Sequence, residues 1–265
     1  MNKKAIQSIF LGMVLLLMYL PILILAVYSF MDSAIIGKSG SFTVKNYVYL
    51  FHSEDLRSMI FGTLILAVAV AVISTILGTL GAIGAFYSSK KLKRPIHLMN
   101  QIPVVNADVV TGFSICVLLI VFFKMDKASY VPLVIGLVSL CSPFVYLSVI
   151  PRLKQMDPQL YEAALDLGCS PFGALRKVIL PQLTSGIVSG FMMSITLTLD
   201  DYFITTYTKP SMFDTISTYV VNATKGAQTD VKTALWALST IIFLIVIFVV
   251  IGMNHTSRKE NDHEI

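Results

Sequence analysis

Charge is scarce in this sequence. Only 13% of its 265 residues are Asp, Glu, Lys or Arg, against about 25% in an ordinary soluble domain. Hydrophobic residues make up 55% and mean hydropathy is +0.78. A soluble core cannot hide that much apolar surface, which excludes a soluble domain. Cysteine is almost as sparse: Cys116, Cys141 and Cys169 show no C-x-x-C and no paired spacing, so neither a metal site nor a disulfide framework is indicated. His52, His97, His255 and His263 are scattered over predicted loops and the carboxyl tail. No histidine falls within a span, which leaves a membrane-embedded hydrolase or transferase without a base beside a nucleophile. A phosphate-binding G-x-x-x-x-G-K-[ST] is missing too. Gly37-Lys38-Ser39 imitates its end, but Asp32 stands where the first glycine belongs.

What the sequence has is long apolar runs. Six reach the roughly 20 residues a helix needs to cross about 30 Å of hydrocarbon, near 9–30, 60–87, 101–123, 130–151, 184–207 and 234–253. They lack the ten-residue alternation of barrel strands, so the backbone satisfies itself as helices. The expectation is an all-α integral membrane protein forming a single domain over 1–265. The first run follows Lys3 and Lys4 but lacks a small-residue cleavage site; it reads as a span with a kink at Pro21 rather than a signal peptide. No internal repeat is found.

Lys and Arg set the orientation. With a cytoplasmic amino terminus, twelve lie in the inside connections, including the tight cluster Lys90, Lys91, Lys93 and Arg94, and eight lie outside. Both termini are expected in the cytoplasm. This anchoring accounts for the net charge of +5, and no nucleic-acid partner is implied. Trp236, at the outer start of the sixth span, reads as an interfacial anchor. Gly78, Gly81 and Gly84 in the second span suggest close helix packing.

The inside connection 152–183 reads as helix, turn, helix. Asp157 caps a first helix opened by Pro158, and Gly168 suits the left-handed residue that ends it. Ser170 and Pro171 repeat the cap-and-proline pattern for a second helix that stops at Pro181. Ala163, Ala164, Leu165 and Leu167 offer a compact knob for another protein's groove; an amphipathic helix resting on the membrane accounts for the shape alone equally well.

Resemblance separates the two. Glu162-Ala163-Ala164, Gly168, and Val178-Ile179-Leu180-Pro181 resemble the EAA motif of binding-protein-dependent ABC importer permeases, departing only in Val178 for an Ile. The resemblance implies the type I permease fold of six transmembrane helices with a cytoplasmic coupling loop. It also implies that residues of about 158–168 form a coupling helix seated in a separate ATPase, with Glu162, Ala163, Ala164, Gly168, Leu180 and Pro181 in the coupling role. The implied partners are two ABC ATPase subunits, a second homologous permease, an extracytoplasmic substrate-binding protein and membrane lipid. The chain is then no enzyme and binds no cofactor; the ATPase uses ATP and Mg. The implied place is the bacterial inner membrane.

Carboxylates inside spans are costly and are functional hypotheses by default. Asp200 and Asp201 lie about 25 Å of helix into the fifth span, and Asp108 lies about two turns into the third, beside Asn106 and Thr111. On a continuous helix Asp200 and Asp201 point about 100° apart, so one lines a pathway while its neighbour bonds elsewhere, unless the helix ends earlier and both mark its wet outer end. Tyr202, Phe203 and Tyr207 suit either a cation–π clasp or an interfacial belt. The stretches from Ser194 through Asp200-Asp201 to Lys209-Pro210-Ser211, and from Pro103 through Asp108 to Ser114, resemble the spermidine/putrescine permeases of that family. The resemblance implies a polyamine pathway lined by Asp200, Asp201, Asp108 and Tyr202. Ferric iron, thiamine or an aminophosphonate is the alternative cargo, although no Lys or Arg interrupts the spans to suit an anion. An ion-coupled secondary transporter leaves the EAA loop unexplained and lacks the paired repeats of that class.

Overall fold

A computed structural model describes residues 3–33, 40–157, 159–225, 233, 235–241, 243, 244 and 247. Pro158 and half of the sixth expected span, 234–253, lie outside the described residues. Among those described, the chain is helical, and its one β-pairing is an isolated bridge between Met31 and Phe42. Two compact units form, one from 1–58 with 220–265 and one from 59–219.

In the first unit, α1 (Lys3–Tyr28) holds Pro21 within one helix. Its stretch Phe10–Tyr28 is long and apolar enough to cross a membrane. The turn after it is pinned to α2 (Lys45–His52): Asn46 donates to the carbonyls of Ser29 at 2.9 Å and Met31 at 3.0 Å, and Phe30 stacks on Phe42 with centroids 5.6 Å apart. Trp236 meets Tyr28 edge-on at 5.8 Å.

The second unit holds most of α3 (Glu54–Tyr87) and all of α6 (Val131–Gln155), both of spanning length. The 34 residues of α3 extend about 51 Å, beyond the hydrocarbon layer. Two expected spans are broken rather than straight. The third is split between α4 (Lys90–Val105) and α5 (Asp108–Cys116), which continues as a π-helical turn through Phe122; the two segments meet at 105°. The break falls at Asn106 and Ala107, both in extended backbone. The fifth is α10 (Thr184–Asp200), stopped by an extended Asp201 and followed by the short α11 (Phe203–Thr208).

α6 is the hub. On α10 the small residues Gly186, Gly190, Ser194 and Thr198 recur every fourth position and are all buried, which allows the close backbone approach that lipid-embedded helices use. Val145 of α6 is gripped from both sides: a Cβ on Gly190 would come within 3.0 Å of its side chain, and one on Gly78 of α3 within 2.6 Å. Gly78 thus fulfils the packing expected of it, whereas Gly81 and Gly84 face open space. Cys141 is a core residue whose thiol lies 3.7 Å from the Ser194 carbonyl and 3.6 Å from the Thr198 hydroxyl.

Candidate functional site: an acidic cavity and a capped loop

The breaks place the carboxylates. Asp108 opens α5, where a negative charge complements the helix dipole; it sits at a helix start rather than within a continuous helix. Nearby, Asn106 donates to the Thr111 hydroxyl at 3.1 Å, holding the bend. Asp200 is the last residue of α10 and Asp201 the residue that ends it. Because the helix stops there, the 100° divergence expected of a continuous helix does not apply.

Asp108, Asp200, Asp201 and Tyr202 line one cavity of 390 Å³, with Phe203 and an apolar floor that includes Leu140, Phe144 and Leu197. That volume lies within the roughly 300–1,000 Å³ of small-molecule sites. Among the described residues no Lys or Arg lines it, so its field favours a cation. Tyr207 stands apart from this wall, its ring set edge-on to Phe113 at 5.9 Å.

The adjacent aspartates differ in engagement. Asp201 is 8% exposed and accepts the backbone N–H groups of Ile204 at 3.4 Å and Thr205 at 2.7 Å, plus the Thr205 hydroxyl at 2.8 Å. It caps α11 from before its first turn. Asp200 is exposed; its carbonyl accepts from the Ser217 hydroxyl at 3.1 Å, and its side chain lines the cavity. Beyond α11, Lys209 bonds Asp214 at 2.8 Å and donates to the Phe213 carbonyl at 2.7 Å, which closes the following loop.

The second feature is the loop from α6 to α10. Asp157 accepts the N–H of Gln159 at 2.9 Å and opens α7 (Gln159–Asp166). Gly168, at φ +85°, ends it: Cys169 N–H donates to Ala164 O at 3.0 Å and Gly168 N–H to Leu165 O at 2.9 Å, the paired bonds of a Schellman cap. Ser170 accepts the N–H of Gly173 at 3.1 Å and caps α8 (Pro171–Ala174), which leads through a π-helical turn, Leu175–Ile179, into α9 (Leu180–Gln182). The helical course ends at Gln182, one residue past the expected stop at Pro181, and turns 71° into α10.

Within the EAA triplet, Glu162 and Ala163 are exposed while Ala164 is buried. Leu180 is half-buried and Pro181 exposed. Leu167 and Phe172 project outward, 87% and 74% exposed. Beneath them, Ile179 and Leu183 are wholly buried in one cluster with Ala82 of α3 and Val149 and Leu153 of α6, against which Leu160 and Tyr161 of α7 also pack. Those inner residues link the loop to the spans. In the sequence, the four-residue apolar spacing of Leu175, Ile179 and Leu183 is the one signal that marks this inner face.

Residues 77–259 match the family described as binding-protein-dependent transport system inner membrane component, a range that holds both the loop and the cavity carboxylates. The chain is 29% identical over 245 residues to the spermidine/putrescine transport system permease protein PotC of Escherichia coli (strain K12), covering 92% of this chain and 90% of that protein. It is 28% identical over 238 residues to the putrescine transport system permease protein PotI of the same strain, covering 85% and 81%. Its fold is similar to a chain in the crystal structure of a bacterial alginate ABC transporter in complex with an alginate pentasaccharide-bound periplasmic protein, with a TM-score of 0.71, 18% identity, and coverage of 96% and 94%.

Proposed function

The chain belongs to the family of binding-protein-dependent transport system inner membrane components, and on that premise we propose that it is a polyamine-conducting permease subunit of an ATP-driven importer. The observation that carries the reading is the convergence of Asp108, Asp200 and Asp201, with Tyr202 and Phe203, on one cavity that no Lys or Arg among the described residues lines. Relatives named as spermidine/putrescine and putrescine permeases support the cargo class. An oligoamine offers several ammonium groups to carboxylates and an alkyl chain to aromatic and apolar walls; an anionic phosphonate finds no counter-charge there.

In this reading Asp200 and Asp108 meet the cargo, Asp201 fixes the wall by capping α11, and Tyr202 and Phe203 flank the ammonium groups. α7 seats in a partner ATPase through Glu162, Ala163 and the neighbouring exposed Leu167. Ile179 and Leu183 carry its displacement to α3 and α6, and Gly168, Leu180 and Pro181 shape the turn between. The subunit performs no catalysis; two ATPases hydrolyse Mg-ATP, a second permease completes the gate, and an extracytoplasmic binding protein delivers the amine. Both termini lie in the cytoplasm, as the excess of Lys and Arg in the connections on that side supports.

The test is ATP-dependent uptake of labelled spermidine and putrescine by the assembled complex in proteoliposomes. Uptake of at least one amine supports the reading. Failure with both, while the binding protein still stimulates ATP hydrolysis, moves the cargo elsewhere and keeps the importer.

A further inference from the structure

A second cavity, of 150 Å³, is basic. Lys93, Arg94 and His97 of α4 reach it from one helix face, since position 97 lies three and four residues on from 94 and 93. Lys154, from the last turn of α6, reaches it from another wall, and Tyr146 and Ile150 form an apolar side. Among the described residues no carboxylate lines it.

Lys93 is held in place, donating to the Phe86 carbonyl at 3.1 Å with its ammonium 4.6 Å from the Phe86 ring centroid. The His97 ring lies 6.1 Å from that of Tyr146. Arg94 and Lys154 have no ion-pair partner among the described residues. An excess of basic residues on one side of the membrane accounts for charges anywhere in these connections. It does not account for three cations and an imidazole meeting in one concavity that no acid among the described residues lines. Just beyond His97, α4 exposes Leu98, Met99 and Ile102, at 62%, 71% and 65%, an apolar surface beside the basic mouth.

We propose that this cavity binds a phosphate-bearing anion, with Arg94 and Lys154 as its principal counter-charges. The guanidinium supplies a fork that matches phosphate oxygens and the ammoniums supply point charges. Basic pockets between membrane helices take lipid headgroups by this chemistry, and the neighbouring apolar side chains of α4 suit acyl chains. Free phosphate presents the same oxygens without the tail.

The test uses the full-length chain purified in neutral detergent. Native mass spectrometry counts bound dioleoyl phosphatidylglycerol against dioleoyl phosphatidylcholine, and equilibrium dialysis measures labelled inorganic phosphate. Arg94→Gln with Lys154→Gln is expected to weaken binding of the anionic probe about thirtyfold, from roughly 1 kcal/mol per basic residue near an anionic headgroup. Arg94→Lys with Lys154→Arg is expected to retain it, as is Lys91→Gln with Lys124→Gln, which removes two charges elsewhere. An unchanged thermal midpoint in the glutamine variant establishes that it folds. Variant-sensitive binding of phosphatidylglycerol alone makes lipid the source, and variant-sensitive binding of inorganic phosphate makes it the free ion. Binding of neither probe, or binding indifferent to Arg94 and Lys154, overturns the proposal.

Discussion

Thr205 gives both its backbone N–H, at 2.7 Å, and its hydroxyl, at 2.8 Å, to one carboxylate oxygen of Asp201. Asp201 thereby serves as the first support of α11, while Asp200 beside it faces the cavity. Two neighbouring carboxylates with the same side chain have different tasks because the helix ends between them.

The two aspartates are therefore expected to fail differently. Asp201→Ala removes a cap and costs about 1–2 kcal/mol, lowering the thermal midpoint of the purified subunit together with uptake. Asp200→Asn leaves the midpoint unchanged and lowers polyamine uptake by about tenfold, the equivalent of 1.4 kcal/mol. Paired melting and uptake measurements check both; a destabilised Asp200→Asn would reverse the assignment.

Gly168→Val places a β-branched residue at φ +85°, a left-handed conformation that costs an L-residue about 1–2 kcal/mol. The α7 turn is expected to lose its Schellman cap. Membrane insertion persists, while ATP-driven uptake and stimulation of ATP hydrolysis by the binding protein fall together. Comparing membrane content with coupled activity separates this outcome from misfolding.

The glycines of α3 divide sharply. Gly78→Val drives its side chain into Val145 and the Ser142 carbonyl, where even a Cβ would lie 2.6 and 2.8 Å away, and is expected to cost about 1–3 kcal/mol. Gly81→Ala meets nothing within 4 Å and is expected to fall within about 0.5 kcal/mol of the wild type. Thermal unfolding of the two variants side by side decides it.

Ile179→Ala opens a void in a wholly buried position, with an expected cost of about 2–5 kcal/mol. It also loosens the contact between the loop and the α3–α6 cluster. At a temperature where the variant remains folded, ATP hydrolysis without uptake is the expected signature, read from the ratio of the two rates.

Local chemistry made the loop legible in the sequence. Asp157, Gly168 and Ser170 carry capping instructions that depend on a few neighbouring residues, and each caps as expected. The carboxylates were also legible, because charge inside an apolar run is conspicuous. The bends were not. Hydropathy stays high across 101–123 and 184–207 whether a helix continues or breaks, and it registers neither the 105° turn at Asn106 and Ala107 nor the stop at Asp201. The spacing of Gly78, Gly81 and Gly84 likewise says that small residues occur, not which of them meets a neighbour. The positions of Val145 and the Ser142 carbonyl distinguish Gly78.

Passage of the cargo through the acidic cavity is read out by ATP-dependent spermidine uptake through the assembled complex carrying Asp108→Asn with Asp200→Asn. This route predicts that uptake collapses while assembly and binding-protein-stimulated ATP hydrolysis persist. Uptake at the wild-type rate in that double variant would contradict it.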